Sequence, residues 1–177
     1  MSGTPMQMEG RAFVLGDDIA NDGHLMALAF ALSRETDPEV LRHEIFKGLD
    51  ESLAGRLQPG DLIVTGRRFA QGNPHIQGFI GLRGAGVGLL TESIPSASFR
   101  LAINAGVPLL PRCPGLSARV DEGDRLRVDF ETGAVANLSR GEEMRFDPVP
   151  DYPRRIIEAG GWRPMFEARL AGAGAAR

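Results

Sequence analysis

Short apolar runs alternate with helix-like segments along the first two-thirds of the chain, and this is its most regular pattern. Runs of strand length are predicted to form β-strands at residues 11–15, 62–65, 87–90 and 107–110. Helix-like segments separate the last three of these runs, and the second, over 96–105, is closed by a glycine. Alternation of strand and helix is typical of a parallel sheet covered by helices. The pattern therefore predicts an α/β protein with a parallel core sheet.

The last third of the chain follows the period of two that half-buried strands show. Residues 125–130 alternate, a turn follows at 131–133, and residues 134–138 alternate again. This order predicts a C-terminal antiparallel hairpin. A final helix is predicted over 153–159, where a pair of glycines ends it.

The segment between the first two predicted strands is less regular. Residues 24–34 are almost continuously apolar, which favours either a buried helix or a lid over a cavity. A second helix is predicted to start at Asp37, whose carboxylate can cap the first turn, and to stop at Gly48. Its apolar face would consist of Val40, Leu41, Ile45 and Leu49.

Glycine is concentrated in the helix-like segment after residue 76. Gly78, Gly81 and Gly84 lie three apart, and each costs about 1 kcal/mol in a helix relative to alanine. We therefore expect them to allow close packing against the sheet. The run GLRGAGVG at 81–88 has neither the lysine of a phosphate-binding loop nor the order GxGxxG, so nucleotide binding is not favoured.

Length and composition are those of an ordinary globular protein. The chain has 177 residues, of which 42% are hydrophobic and 24% charged. We expect one domain over 11–170, with a disordered N-terminus at 1–10 and a flexible tail at 171–177. A net charge of −3 offers no basic face for nucleic acid, and no apolar run is long enough to span a membrane. With no signal peptide evident either, we expect a cytoplasmic protein.

Cysteine and histidine are too sparse for a metal centre in this chain. Cys113 is the single cysteine, and the three histidines, His24, His43 and His75, are scattered. Clusters and structural zinc sites need several thiolates or imidazoles, so we expect no metal here. Cys113 is best interpreted as a buried structural thiol, and His43 as a packed or solvated residue of the predicted second helix.

The turn GRRFAQGNPHIQG at 66–78 is the remaining candidate for chemistry. It leads from a predicted strand into a helix, whose first amides and dipole favour an anion. Asn73 adds an amide, and His75 adds a ring nitrogen that can donate a hydrogen bond to an anion. The alternative is that Gly72, Asn73 and Pro74 form only a tight turn, and local pattern alone favours that alternative.

Several segments together resemble one known family. GDDIANDGHL at 16–25, GDLIVTGRRFAQG at 60–72 and SFRLAINAGVPLL at 98–110 are similar to its motifs, as are GDRLRVDFETG at 123–133 and RIIEAGG at 155–161. TDPEVLRHEIFKGLDE at 36–51 is similar to a segment of its short forms. The family is that of the small subunit of 3-isopropylmalate dehydratase, the swivel domain of the aconitase superfamily. The resemblance covers about residues 11–165, in order and with matching spacing.

The resemblance implies a shared active centre. The fold would be an aconitase-type β/β/α swivel domain with a parallel core sheet and a C-terminal antiparallel hairpin. The domain would close over a large subunit that carries a [4Fe–4S] cluster, with no cofactor in this chain. In the family a serine of the small subunit takes the α-proton of a small 2-hydroxy acid, and arginines bind its carboxylates by bidentate pairing.

The resemblance breaks at the catalytic positions. Where the family reads GSSRE, residues 72–76 read GNPHI, so Asn73 stands at the serine position and His75 at an arginine position. In the earlier loop Leu28 stands where the family has another arginine. An asparagine is a poor general base, whereas a histidine is suited to that role. The resemblance thus assigns His75 and Asn73 to catalysis, and it assigns the following residues to substrate binding: Asp22, His24, Leu28, Gly72, Pro74 and Ile76.

Three hypotheses remain open from the sequence. In the first, the chain is a hydro-lyase small subunit with an altered, less charged or more hydrophobic substrate. In the second, it is an ordinary isopropylmalate isomerase subunit of leucine biosynthesis with compensating residues. In the third, it is a non-catalytic swivel domain that binds a partner. The role of the acidic residues Asp17, Asp18 and Asp22 is also open, since such residues either contact a ligand or brace their own loop.

Overall fold

The fold is given by a computed structural model that describes residues 3–174. The strands are β1 (Gln7–Leu15), β2 (Leu62–Thr65), β3 (Gly88–Thr91), β4 (Leu109–Leu110), β5 (Arg125–Asp129), β6 (Ala134–Asn137) and β7 (Glu142–Arg145). The helices are α1 (Leu28–Leu32), α2 (Pro38–Leu41), α3 (Leu53–Arg56), α4 (Gln77–Ala85), α5 (Ser96–Ala105), α6 (Asp151–Glu158) and α7 (Trp162–Gly174), with a 3-10 turn at Leu116–Ala118. Across this range no helix is both long enough and apolar enough to cross a bilayer.

The strands form one seven-stranded sheet in the order β4-β3-β2-β1-β5-β6-β7. Strands β1 to β4 are mutually parallel, and α4 and α5 connect β2 to β3 and β3 to β4. Strands β5 to β7 are antiparallel and join the parallel part through β1. The predicted parallel core and C-terminal hairpin are therefore confirmed. Strand β7 adds a third strand to that hairpin.

Strand β1 belongs to both parts of the sheet. Its first half pairs with β5 and its second half, from Ala12, with β2. The strand begins at Gln7, so residues 7–10 are not the disordered segment that was predicted. The reason is the β5 partner: Met8 is buried, while Glu9 forms ion pairs across the strand pair. Thr4 is also buried, and positions 1–2 lie outside the described residues.

The parallel strands are apolar on both faces because each face packs into its own buried hydrophobic cluster. In β2, Ile63 packs with the helices, whereas Leu62 and Val64 pack toward the β5–β7 side. All of these side chains are fully buried. This two-sided burial explains why the strand is a continuous apolar run rather than an alternating one.

The glycine stripe of α4 is close-packed, but not against the sheet as predicted. A Cβ on Gly78 would lie 2.5 Å from the Leu25 side chain. A Cβ on Gly84 would lie 2.5 Å from the carbonyl oxygen of Pro38 in α2. The stripe therefore faces α2 and the loop before α1, and it lets both approach the backbone of α4.

The apolar segment 24–34 divides into a buried and an exposed part. Leu25 and Met26 are buried in the main core. Helix α1, which follows, has no buried residue, and Leu32 is 76% exposed. The prediction of a buried helix was wrong, because only the start of the segment reaches the core.

The helix predicted from Asp37 is much shorter than expected. The Asp37 carboxylate accepts a hydrogen bond of 2.9 Å from the amide of Glu39, so the predicted cap is confirmed. The helix ends at Leu41, and Phe46 has a φ of +63°, which no α-helix allows. Gly48 does not stop the helix. Its backbone lies against Gly23 so closely that a Cβ would collide with the Gly23 carbonyl oxygen.

The C-terminal region contains two helices where one was predicted. Helix α6 ends before the glycine pair, and α7 then begins at Trp162. Pro164 is tolerated because it lies in the first turn of α7, where amides have no partner within the helix. Residues 171–174 therefore belong to a helix, and 175–177 of the predicted tail lie outside the described residues.

Candidate active site

The candidate site lies where β1 and β2 end side by side. Because these strands are parallel neighbours, the loops that follow them leave from the same edge of the sheet. The two loops then run together: the amide of Asn21 donates to the carbonyl of Gln71 at 2.8 Å, and the amide of Gln71 donates to that of Ile19 at 3.1 Å. This pairing brings the 16–25 and 66–76 motifs into one structure.

Two ion pairs brace the start of the paired loops. The Asp17 carboxylate accepts from the backbone amide and the guanidinium of Arg67. The Asp18 carboxylate pairs in a bidentate manner with Arg68, at 2.5 and 2.6 Å. The Arg67 amide lowers the pKa of Asp17, and the Arg68 guanidinium lowers the pKa of Asp18. Both acidic side chains are therefore engaged in holding their loop.

A buried asparagine fixes the backbone of the candidate catalytic histidine. Asn21 is fully buried, and its Nδ2 donates to the carbonyl oxygen of His75 at 3.2 Å. Its Oδ1 accepts from the amide of His75 at 3.4 Å. One side chain thus holds both backbone groups of residue 75 from the neighbouring loop.

The side chain of His75 pairs with Asp22. Their Nδ1 and Oδ1 atoms are 2.7 Å apart, and the side chains are 35% and 26% exposed. With the ring hydrogen on Nδ1, that atom donates to Asp22 and Nε2 keeps a free lone pair. A histidine oriented by a carboxylate in this way is equipped to accept a proton and to hold the resulting charge.

The turn before α4 is open to solvent. Gly72, Asn73 and Pro74 are exposed, and Gly72 has a φ of +93°, which favours glycine. Ile76 is half-buried at the N-terminus of α4, where no side chain caps the helix. The side chains of Asn73 and His75 therefore lie at an edge that a second surface can cover.

The remaining predicted substrate residues differ in their contacts. His24 accepts a hydrogen bond of 3.1 Å from the amide of Ala20 through Nδ1, so this ring atom braces its own loop. Leu28 is 43% exposed at the start of α1. The structure brings Asp22, His75 and the 72–76 turn together, whereas it places Leu28 on a separate short helix.

The described part of the chain offers no set of side chains that could bind a metal ion. Residues 3–174 contain no group of three histidine, cysteine or acidic side chains that is placed to hold a metal ion. Cys113 is buried, and burial raises the pKa of its thiol to about 12. A thiol so difficult to ionise is a poor metal ligand, because metals bind the thiolate.

The sequence analysis missed the role of Asn21. The signal was a polar residue flanked by Ile19-Ala20 and Asp22, within a loop that also carries buried apolar positions. A lone asparagine in such a loop is indistinguishable from a turn residue until its partner strand is known. Its function emerges only when the loop after β2 is placed beside it.

Comparisons with known proteins identify relatives of this chain. No family model matches the chain. The isopropylmalate/citramalate isomerase small subunit of Methanocaldococcus jannaschii is 35% identical over 165 residues, 93% of this chain and 96% of that protein. The 3-isopropylmalate dehydratase small subunit 1 of Methanopyrus kandleri is 36% identical, covering 87% of this chain and 89% of its own length. The corresponding subunit of Pyrobaculum calidifontis is 38% identical, covering 88% and 94%.

The fold agrees as well. The crystal structure of 3-isopropylmalate dehydratase from Methanocaldococcus jannaschii superposes with a TM-score of 0.87. The superposition covers 97% of this chain and all of that one, at 24% identity. The extent and identity of the sequence matches, together with this fold, show that the chain belongs to the family of 3-isopropylmalate dehydratase small subunits.

Proposed function

We propose that this chain is the small subunit of an aconitase-superfamily hydro-lyase and that it supplies one half of an active centre shared with a large subunit. The observation that carries the proposal is the pair of Asp22 and His75 at 2.7 Å, held at an open sheet edge by Asn21. The proposal includes a cytoplasmic setting and a step of the leucine biosynthesis type, both taken from the family.

The cofactor of the family belongs to the partner in this proposal. Cys113 is the single cysteine of the sequence and is buried with its thiol protonated, so this chain is not suited to hold a [4Fe–4S] cluster. A cluster on the large subunit would supply Lewis-acid chemistry for the substrate hydroxyl and carboxylate. The contribution of this chain is then proton transfer, orientation and shape.

His75 is the proposed base. Its Nε2 takes the proton from the substrate carbon next to the one that loses the hydroxyl group, and the Asp22 carboxylate stabilises the imidazolium that results. In this proposal Asn73, whose side chain is exposed on the same turn, orients the substrate by hydrogen bonds. Gly72, Pro74 and Ile76 shape the turn that presents both side chains.

The substrate of this subunit carries less charge, or a larger apolar group, than isopropylmalate. Leu28 replaces one arginine that the family resemblance implies, and Leu28 and Leu32 present exposed apolar surface on α1. The arginines that do lie in the paired loops, Arg67 and Arg68, are neutralised by their ion pairs with acidic residues. The second candidate, an ordinary isopropylmalate isomerase subunit, is favoured by the names of the relatives, one of which also names citramalate.

Anaerobic reconstitution of the full chain with a cluster-loaded large subunit from its own organism tests the proposal. The substrates are 3-isopropylmalate, citramalate and the 4-methyl ester of 3-isopropylmalate, which keeps the acidifying carbonyl but loses one charge. Dehydration is followed by the ultraviolet absorbance of the conjugated product. We expect turnover only when both subunits are present. The ester should be preferred by about tenfold or more, because the second carboxylate of 3-isopropylmalate would lack a charge-assisted contact worth about 1.5–3 kcal/mol.

The alternative outcomes separate the hypotheses. Turnover by the isolated chain would overturn the shared active centre. Preference for 3-isopropylmalate over its ester would overturn the less charged substrate and favour the ordinary isomerase. A complex that forms but converts none of the acids would point to the non-catalytic swivel domain.

A further inference from the structure

Strand β7 is the last strand on one side of the sheet, and its outer edge has no partner strand. The amide of Phe146 donates to the carbonyl oxygen of Gly133 at 2.9 Å, so every second residue of β7 turns its backbone groups toward β6. The amides and carbonyls of Glu143 and Arg145 therefore point outward, and within the described range 3–174 they have no hydrogen-bond partner. The chain after β7 turns back toward Gly133, where a Cβ would lie 3.4 Å from Pro148. It therefore leaves this edge open.

The edge also carries two charges that the chain itself leaves unpaired. Glu143 and Arg145 are exposed on the outer face of β7, opposite to the buried side chain of Met144. Their cross-strand neighbours in β6 are Ala136 and Ala134, which offer no charge. Neither side chain has an ion-pair or hydrogen-bond partner in the part of the chain that the structure describes.

The other arginines on this face show how such charges are paired when a neighbouring strand is present. Arg125 and Arg127 of β5 bind the two carboxylate oxygens of Glu9 in the adjacent strand β1, at 2.8 and 2.9 Å. Glu143 and Arg145 lack an adjacent strand on their open side. A strand that carries an arginine and a glutamate in the reverse order would pair both of them. An antiparallel copy of β7 is such a strand.

The charges of β7 suit a second copy in one register. Because cross-strand neighbours lie on the same face, Glu143 can lie opposite Glu143 or Arg145 of the other copy, and pairs of like charge are destabilising. When Met144 lies on the twofold axis, each Glu143 lies opposite Arg145 of the other copy. The outward amides and carbonyls of these residues then pair as well, and the two Met144 Cα atoms come to about 4.5 Å. Charge usually keeps edge strands apart. Here its order favours pairing.

We propose that two copies of this chain associate through β7 in this register and join their sheets into one. The contact is isologous, because each copy contributes the same residues. A four-residue strand makes a small contact, whereas stable interfaces bury about 1,200–2,000 Å², so the dimer is weak and depends on protein concentration. Strands β5 and β6 separate β7 from β1, so the contact does not use the His75 site. It also does not depend on the proposed hydro-lyase activity.

Sedimentation equilibrium of the full chain over a range of concentrations tests the proposal. We expect a monomer–dimer equilibrium. Glu143→Arg and Arg145→Glu should each raise its dissociation constant by about tenfold or more, because both charge pairs of the dimer become repulsive. Glu51→Arg, the same charge reversal at an exposed position outside the sheet, is the matched control and should leave the constant unchanged. A monomer at every concentration, or a dimer that tolerates both reversals, would overturn the proposal.

A mixture of the two variants gives an independent test of the register. Positions 143 and 145 are both basic in Glu143→Arg and both acidic in Arg145→Glu, so one copy of each should form a dimer with two attractive pairs. The chain that carries both substitutions should also regain association with itself. Because these tests look for a gain of association, a damaged variant cannot imitate the expected result. Absence of dimer both in the mixture and in the doubly substituted chain would refute the proposed contact.

Discussion

The paired loops of the candidate site are firmly held, whereas helix α1, which follows the first loop, is not. The loops are joined by backbone hydrogen bonds, by two ion pairs and by the buried amide of Asn21. Helix α1 has no buried residue and presents Leu28 and Leu32 to solvent. The chain therefore fixes the groups proposed for proton transfer and leaves those proposed for substrate selection loosely attached. The first must be exact in position, whereas the second can change without disturbing the fold.

The largest expected effect is on catalysis by the reconstituted pair. His75→Ala should lower turnover by about 10²–10⁴-fold, the usual contribution of a general base. His43→Ala, at an exposed position outside the paired loops, is the control and should leave turnover unchanged. Steady-state rates of the two variants decide the point. A His75→Ala rate equal to the unmodified rate would remove this residue from the mechanism.

A matched pair of leucines sharpens the contrast in stability. Leu25→Ala should lower the free energy of unfolding by about 2–5 kcal/mol, because Leu25 is fully buried and its loss leaves a cavity. Leu28→Ala, three residues later and 43% exposed, should change it by less than about 0.5 kcal/mol. Urea unfolding followed by circular dichroism measures both. Similar losses at the two positions would mean that α1 is packed as firmly as the loops.

Removing the buried amide should have a smaller effect on stability. Asn21→Ala leaves the backbone amide and carbonyl of His75 without partners, at a cost of about 1–3 kcal/mol. Asn73→Ala removes an exposed amide of the neighbouring turn and should change stability by less than about 0.5 kcal/mol. Unfolding curves of the two variants give the difference. Equal stabilities would show that Asn21 does not hold the loop.

The smallest effect is expected from the two ion pairs, since both lie in solvent. The pKa values of Asp17 and Asp18 are lowered in the folded chain, so their contribution is present above the ordinary aspartate pKa and is lost as the pH falls through the lowered values. The double variant Asp17→Asn, Asp18→Asn should therefore lose less stability between neutral pH and strong acid than the unmodified chain does. Thermal unfolding across that range measures it. An unchanged acid dependence would show that the pairs add nothing.

The order of strands and helices could be predicted because two-sided burial and turn residues leave clear marks in the sequence. Strand β2 is a continuous apolar run, and Asp37 caps its helix as expected. Strand β7 was missed because it is a charged edge strand in which only Met144 is buried. The shortness of α2 was missed because the positive φ of Phe46 depends on tertiary packing and has no local signal.

The candidate site was predictable only in part. The resemblance identified the turn that carries Asn73 and His75, since a change of residue type within a known motif is visible in one sequence. The contact of His75 with Asp22 joins residues that are 53 positions apart, and no sequence pattern within either loop predicts it. Long-range pairing of this kind follows from sheet topology, which sets the two strand ends side by side.

The close approach of Gly48 to Gly23 has a consequence for the orientation of the Asp22 side chain. The carboxylate that orients His75 sits next to Gly23, whose carbonyl rests directly on the bare backbone of residue 48. A side chain at residue 48 would collide with the Gly23 carbonyl. The Gly23 peptide would then have to shift, and Asp22, the residue before it, would move relative to the His75 ring. A glycine outside the paired loops thereby sets the position of the acid in the pair proposed for proton transfer.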